Sequence, residues 1–440
     1  MKNKRFLCVD GDFFCHRALH GIRMVNKNIT LDSVDEMNNF NKTLITHVHS
    51  LFNNFVNEHH QLIDQIIFVF DNKSWRKRIE ANRPYYLEND KEVSIGYKDN
   101  RTKMKEESDI NYENFSLCKK EFVDLLKNTN IFPVFHFDGA EGDDQLIMLK
   151  TKLLMENPDN KMIVFCTDGD LKQLLYFDEK LNQKSDSIIL YRNIKSKAAP
   201  EGEFVITEKL FEELYGKRDE FGREDIMDAF LRAGNDTNES YYKQFLFNIN
   251  FKDNSGKASF QRKPGEGISI GTPTLTLLTK IITGDKKDNV FPLFRWKTKT
   301  GNSIRNVTET NIIKCLNDLD FKFNDKTCLS IYNDKQILTQ LLYGLRDEVK
   351  QSEINIQLIG KHFTHNRKIL DIRTINYIPN EIYTKFEMEF EKFKLDGILE
   401  TNLNQQILSK LKQDFSDSTN ILSQSLPDLP DELKGFSDLL

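Results

Sequence analysis

Four short apolar runs punctuate the first 170 residues, and each gives way to acids. Phe6–Val9 ends on Asp10, and Ile66–Phe70 ends on Asp71. Phe132–Phe137 breaks at Asp138-Gly139 and is followed by Glu141, Asp143 and Asp144, while Met162–Cys166 ends on Asp168-Gly-Asp170. Apolar runs this short, bounded by Gly and Asp, predict buried strands. Between them the spacing turns helical. Gly11 to His20 predicts a helix, Leu44, Val48, Leu51, Phe52 and Phe55 form one apolar face within 31–60, and Leu146, Leu149 and Leu153 form another. Strand, helix, strand, helix across 135–175 predicts a parallel sheet with a right-handed crossover. From 311 onward helical periodicity dominates, with Ile382, Phe386, Phe390 and Phe393 on one face. The expected fold is α/β, a parallel central sheet flanked by helices and followed by a mainly helical C-terminal region.

In a parallel sheet the carboxyl ends of the strands share one edge, where open α/β folds keep their sites. The acids named above can therefore converge although they lie far apart in sequence. For one strand-terminal Asp, a helix N-cap is the simpler reading. Capping does not account for the whole set, because clustered carboxylates repel unless a cation sits among them. Oxygen donors without His or Cys suit magnesium or manganese better than zinc. Two such ions can flank a phosphodiester. The expected ligands are Asp10, Asp71, Glu141, Asp143 and Asp144 on one side. Asp168 and Asp170, joined by Asp285 and Asp288 of Thr283-Gly-Asp-Lys-Lys-Asp288, are expected on the other. His47, His49, His59 and His60 follow no ligand spacing and read as surface or helix-packing residues.

Charge changes the picture locally. The 440-residue chain carries net charge −5 with 29% charged residues, and its mean hydropathy is −0.54, which argues against indiscriminate nucleic-acid binding. Residues 73–105 nevertheless hold ten Lys/Arg against five Asp/Glu, interleaved with Trp75, Tyr85, Tyr86 and Tyr97. That mixture predicts a groove that follows phosphates and stacks bases, with a solvated charged face as the simpler alternative. Arg295, Lys297, Lys299 and Arg305 predict a second phosphate-contacting loop. Residues 208–231 read as an acidic helical region, 253–267 as a loop, and the chain beyond about 414 as a flexible acidic tail. Six cysteines without CxxC spacing predict reduced core thiols and a cytoplasmic setting. No stretch reaches the apolar length of a membrane span, and no signal-peptide core follows Met1-Lys-Asn-Lys-Arg.

Taken together, these motifs resemble the 5′ nuclease family, which includes flap endonucleases, and within it most closely the phage enzymes of ribonuclease H type. VDGDFFCHRALH is similar to the first family motif and implies Asp10 as a ligand and Arg17 as a phosphate contact. VFDNKSWRKR resembles the second, with Asp71 as ligand and Lys77 near the substrate. GYKDNRTKMKEES looks like the family's arch, which implies Lys98 and Arg101 as catalytic cations and Tyr97 as a base-stacking residue. GAEGDD, TDGDLKQL and TGDKKDNV match the remaining acidic motifs. The resemblance implies a PIN-like 5′ nuclease sheet and a two-ion, Mg2+-dependent 5′-3′ exonuclease or flap endonuclease, with Mn2+ as a substitute. Its substrates would be DNA and RNA–DNA duplexes with 5′ ends or flaps, in the removal of RNA primers and flaps during phage DNA replication.

A monomer is expected, with a sliding clamp and a single-strand-binding protein as partners. The tail, with Phe436, Leu439 and Leu440 beside acids, is a candidate clamp peptide, with a disordered acidic tail carrying incidental hydrophobes as the simpler reading. The expected divisions are a nuclease core at 1–200 with the arch at 73–105, an insertion at 201–270, a helical DNA-binding region at 271–413 and a tail at 414–440. Two departures stand out: FPLFRWKTKTG replaces the Gly-rich helical hairpin, and 201–270 lies outside the family pattern. A PIN-like endoribonuclease and a non-catalytic DNA-structure-binding protein are the alternative readings.

Overall fold

A computed structural model describes residues 4–55, 63–79, 83–87, 94–129, 132–176, 178–181, 187–192, 203–207, 244–252, 257–260, 273–297, 304–319, 331–351, 353–373 and 375–395. Its centre is a parallel sheet of β1 (Arg5–Asp10), β2 (Gln65–Val69), β3 (Val134–Phe135), β4 (Lys161–Cys166) and β5 (Ile188–Arg192). The strands run side by side in the order β3-β2-β1-β4-β5, with Cys8 opposite both Ile67 and Val164. Both faces of the sheet are covered, which is why β2 and β4 read as continuous apolar runs rather than alternating ones.

Alternation still sorts the side chains between two cores. Leu7, Val9 and Phe68 pack with Phe14 of α1 (Gly11–Val25), Phe40, Leu44 and Val48 of α2 (Val34–Phe55), and Phe122 of α4 (Tyr112–Thr129). Cys8, Ile67 and Val69 pack on the other face with Leu146 and Leu149 of α5 (Gly142–Glu156). The same core takes in Ile382 and Phe386 of α10 (Asn380–Leu395), and Phe386 stacks on Phe135 at 5.2 Å. The predicted apolar face of α10 is therefore correct, but it belongs to the α/β core instead of the preceding helices. A third core joins Leu278 and Ile281 of α6 (Pro273–Thr283), Ile312 of α7 (Glu309–Asp318), Leu341 of α8 (Lys335–Glu348) and Phe363 of α9 (Ile356–Leu370). The short helix α3 (Asn100–Glu106) contributes no buried side chain.

The sheet exceeds the sequence expectation at one edge. β5, whose Ile188–Tyr191 run matches Phe6–Val9 in length but ends on no acid, joins the parallel set, and beyond it β6 (Glu203–Thr207), β7 (Gln244–Lys252) and β8 (Lys257–Phe260) add antiparallel strands. The segment set aside as an insertion thus extends the sheet. Within it, Lys257–Phe260 was expected to be loop, yet pairs with β7 from Lys252↔Lys257 to Ile249↔Phe260. Four residues are too few to show a period of two; the ladder to β7 decides their conformation. Likewise, the expected phosphate loop near 295–305 holds an antiparallel pair, β9 (Arg295–Lys297) and β10 (Ile304–Asn306). The acidic helical region of 208–231 and the tail from 414 lie outside the described residues. No helix among those described is long and apolar enough to cross a membrane.

One buried cation ties this scaffold to the site. Lys150 on α5 is 1% exposed and donates to the carbonyls of Leu174 at 2.9 Å and Tyr176 at 2.5 Å, closing the short helix that begins at Asp170. Lys150→Met should leave both carbonyls short of a donor and cost about 1–3 kcal/mol in chemical denaturation. Unchanged stability would show that the lysine is dispensable to that helix.

Candidate metal centre and arch

The first acids are held by the local structure that each strand end creates. Asp10 caps α1, its Oδ1 accepting from the Phe13 N–H at 3.0 Å, so the capping role and the cluster role coexist. A Cβ at Gly11 would sit 2.3 Å from the Phe70 ring, which reserves that position for glycine. Asp12 follows in the first turn. Its Oδ2 accepts from the Asp71 N–H at 2.5 Å, and its Oδ1 is bonded by Lys119 Nζ, which also donates to the Asp71 carbonyl at 3.0 Å. Asp71 Oδ1 in turn accepts from the Gly142 N–H at 2.6 Å, at the start of α5. Asp143 occupies the next position in that turn, and Asp168 lies beyond the end of β4.

The electrostatics show that these acids converge. Burial and then Asp71 push the Asp10 carboxyl up to about 8, with Asp12 and Asp168 adding to the rise. Burial, Asp12 and Glu141 push Asp71 up to about 6. Asp143 is raised well above the usual range by burial, Asp168 and Asp71. Carboxylates that raise one another in this way are only partly offset by Lys98, and a divalent cation is the partner that suits an all-oxygen set.

Two acids expected beside them are engaged elsewhere. Asp144 is fully buried, and Arg76 grips it through both oxygens at 2.7 and 2.8 Å. Trp75 Nε1 and the Glu141 N–H also donate to it, at 3.1 Å each, the second bond being half of the capping box that opens α5. Asp144, expected as a ligand, has its lone pairs directed to a buried arginine and a helix cap. Glu141 accepts from Arg76 Nη1 and the Tyr97 hydroxyl, both at 3.0 Å, and from Lys98 Nζ. Burial works against its charge, but Lys98 and Arg76 outweigh it and bring the carboxyl down to about 2. Glu141 serves first as the anchor of the arch.

The segment 73–105, expected as the arch, carries a strained turn near its end. Lys98 has φ 58°, a left-handed conformation costing about 1–2 kcal/mol for a residue with a Cβ. The turn is fixed by its neighbours in the loop after α6. Lys98 N–H donates to the Asp288 carbonyl at 3.0 Å, and Asn289 Nδ2 donates to the Gly96 carbonyl at 2.8 Å. Gly284, at φ 76° with backbone atoms 2.6 Å from where a Cβ would stand, turns that loop. Arg101, in the first turn of α3, pairs with Asp288. Both cations therefore face carboxylates, and Asp71 and Asp288 are among the groups that raise Lys98 against the effect of its burial. Tyr97 is corrected. It is 9% exposed with its hydroxyl on Glu141, so it supports the arch instead of offering a face to a base. Trp75, also 8% exposed, is unavailable for stacking as well.

The second cluster is tighter. Asp170, Asp285 and Asp288 bring ligand atoms within 4.8 Å of one another. Asp168 stands between the clusters, its Oδ1 accepting from the Asp170 N–H at 2.9 Å and its Oδ2 from Lys287 Nζ at 3.1 Å. The remaining expected contacts scatter. Arg17 lies on α1 near Tyr191 and His47, and burial lowers it to about 10. Lys77 and Lys297 are exposed, while the Arg295 guanidinium lies 5.7 Å over the Tyr86 ring. Lys299 lies outside the described residues.

Five residues of the site were not anticipated: Asp12, Arg76, Lys119, Lys280 and Lys287. Asp12 had a signal, because Asp10-Gly11-Asp12 repeats the Asp168-Gly169-Asp170 pattern. The cations had none, since each is one Lys or Arg among many.

No family model matches the chain. It is similar to ribonuclease H of Enterobacteria phage T4, 33% identical over 78 residues, or 18% of this chain and 25% of that protein. The chain thus matches about a quarter of the curated relative's length. Among solved structures it is similar to the phage T5 D15 protein co-crystallised with metal ions, at 14% identity, 89% of this chain, 99% of that chain and a TM-score of 0.41. A complex of the phage T5 D15 flap endonuclease with DNA and metal ions gives 15% identity, 90% and 100% coverage and a TM-score of 0.42. By the order of its motifs and by the stretch shared with the phage T4 enzyme, this chain resembles the 5′ nuclease family.

Proposed function

We propose that the protein is a magnesium-dependent, structure-specific 5′ nuclease that hydrolyses phosphodiesters at 5′ ends and flaps, in the removal of RNA primers during phage DNA replication. The observation that carries this reading is the pair of acid clusters with two arch cations beside them. Asp10, Asp71 and Asp143 would hold one divalent ion, with Asp168 at its edge. Asp170, Asp285 and Asp288 would hold another. Ions in such a centre supply the concentrated positive charge that activates water and stabilises a departing phosphodiester oxygen.

The chain's own residues supply the rest. Asp12 and the Gly142 N–H fix Asp71 from two sides, so its carboxylate is presented without reorganisation. Lys98 and Arg101 stand at opposite ends of one strained turn, available to a scissile phosphate once it competes for them with Glu141 and Asp288. Exposed Lys77, Lys297 and Arg305 would meet backbone phosphates, which carry no sequence information, so the enzyme would read structure and not base order. The helices from 273 to 370 would carry the duplex, and the tail beyond 414 would meet a sliding clamp.

Lys98→Ala and Arg101→Ala should each lower turnover about 10²–10³-fold, the loss seen when one preorganised donor to a transition state is removed. Binding of a flap substrate should change far less. Cleavage of a labelled flap by saturating enzyme separates the two. Turnover within twofold of wild type in both variants would return these residues to a merely solvated face.

A further inference from the structure

The two clusters differ in what neutralises them. Around Asp10, Asp71 and Asp143 the acids raise one another, and the oxygens of Asp71 and Asp10 accept from backbone N–H groups. The Asp170–Asp285–Asp288 cluster instead holds an ammonium of its own. Lys280 stands in the last turn of α6, which packs against the short helix opening at Asp170. Its Nζ forms an ion pair with Asp170 Oδ1 and donates to Asp285 Oδ2 at 2.8 Å. Burial opposes the charge of Asp285, yet the bond from Lys280 holds its carboxyl below the usual range. Arg101 takes Asp288, so each acid of the cluster has a cationic partner from within the chain.

A lysine ammonium and a divalent ion compete for such a place. Magnesium needs its oxygens at about 2.0–2.1 Å, inside the volume an ammonium fills when it bonds two carboxylates. We propose that Lys280 is a tethered counter-cation that occupies the Asp170–Asp285–Asp288 cluster in the substrate-free protein, so that a second divalent ion enters only by displacing its ammonium. The inference rests on the metal-centre reading above. Lys280 is suited to the exchange: its side chain is 27% exposed, and a flexible stem lets a compact charge swing into solvent. The two ions would then bind unequally, the first to acids that only the more distant Lys98 offsets and the second against an ammonium in direct contact.

The test is a Mn2+ titration of the full chain by calorimetry, without nucleic acid, on wild type, Lys280→Met and, should the methionine variant not fold, Lys280→Gln. Wild type should bind one ion tightly and a second weakly. The neutral variant should tighten the second by about tenfold or more and leave the first unchanged. A second-ion affinity that is unchanged or weaker in the variant overturns the proposal while leaving the metal centre standing. Absence of Mn2+ binding in both proteins overturns the metal centre and this inference with it.

Discussion

Asp10→Asn should lower cleavage about 10²–10³-fold and yet raise the melting temperature of the metal-free protein above pH 7. Asparagine is as good an N-cap as aspartate, so α1 keeps its bond to the Phe13 N–H. What the substitution removes is a charge that the fold resists. The Asp10 carboxyl ordinarily titrates near 3.8 and is raised to about 8, by burial first and Asp71 second. The folded protein therefore holds this proton more tightly than the unfolded chain. The resulting stability is present below pH about 4 and is lost as pH rises through about 8, a span worth roughly 6 kcal/mol. Asp71, raised to about 6, adds to the same slope over the lower part of that window.

Melting followed from pH 4 to pH 9 in EDTA should show wild type losing stability steadily and Asp10→Asn losing much less. Added Mg2+ should restore wild type at pH 8 and leave the variant little changed, because a ligand stabilises only the state that binds it. Parallel pH profiles for the two metal-free proteins would remove the claim that Asp10 is an uncompensated charge.

Arg76→Met should be the most destabilising single change in the site. Arg76 is 3% exposed and bonds both oxygens of Asp144, one oxygen of Glu141 and the Ile369 carbonyl. Burial opposes its charge, but Asp144 and Glu141 prevail and raise its pKa. Removing one partner of a buried ion network strands the others, at a cost of about 3–5 kcal/mol. The damage would reach the chemistry as well, since Glu141 also anchors Lys98 and Tyr97. Urea denaturation of Arg76→Met, Asp144→Leu and the double variant would give the coupling, with the double variant recovering part of the loss. Asp144→Asn, by contrast, should lower stability without changing ion affinity. A loss of Mn2+ affinity in Asp144→Asn comparable to that in Asp10→Asn would put Asp144 back among the ligands.

Much of this arrangement could be read from the chain because its signals are local. A buried parallel strand is a short apolar run, and the carboxylates that end such runs are Asp10, Asp71 and Asp168. That pattern alone places all three at one sheet edge. It could not separate Asp143 from Asp144, which are adjacent and chemically identical. Their fates diverge because successive helical positions point in different directions, one to the cluster and the other to Arg76. Nor does sequence show the setting of Tyr97: an aromatic among basic residues reads as a stacking face, and its bond to Glu141 is visible only in the fold. Of the strands within 203–260, β6 and β8 are too short to show a period of two, whereas the alternation of Phe247, Ile249 and Phe251 in β7 was there to be read. Lys280, five residues before Asp285, became meaningful only when α6 met the helix that carries Asp170.

The central claim is that these acids form the ion centre of a 5′ nuclease. It is tested most directly by incubating the full-length protein with a 5′-labelled flap duplex and an RNA-primed duplex, in Mg2+ and in EDTA, beside Asp10→Asn. The account predicts short labelled products released from the 5′ end by wild type in Mg2+, and intact label in EDTA and with the variant. Cleavage that persists in EDTA, or that proceeds equally in Asp10→Asn, would contradict it.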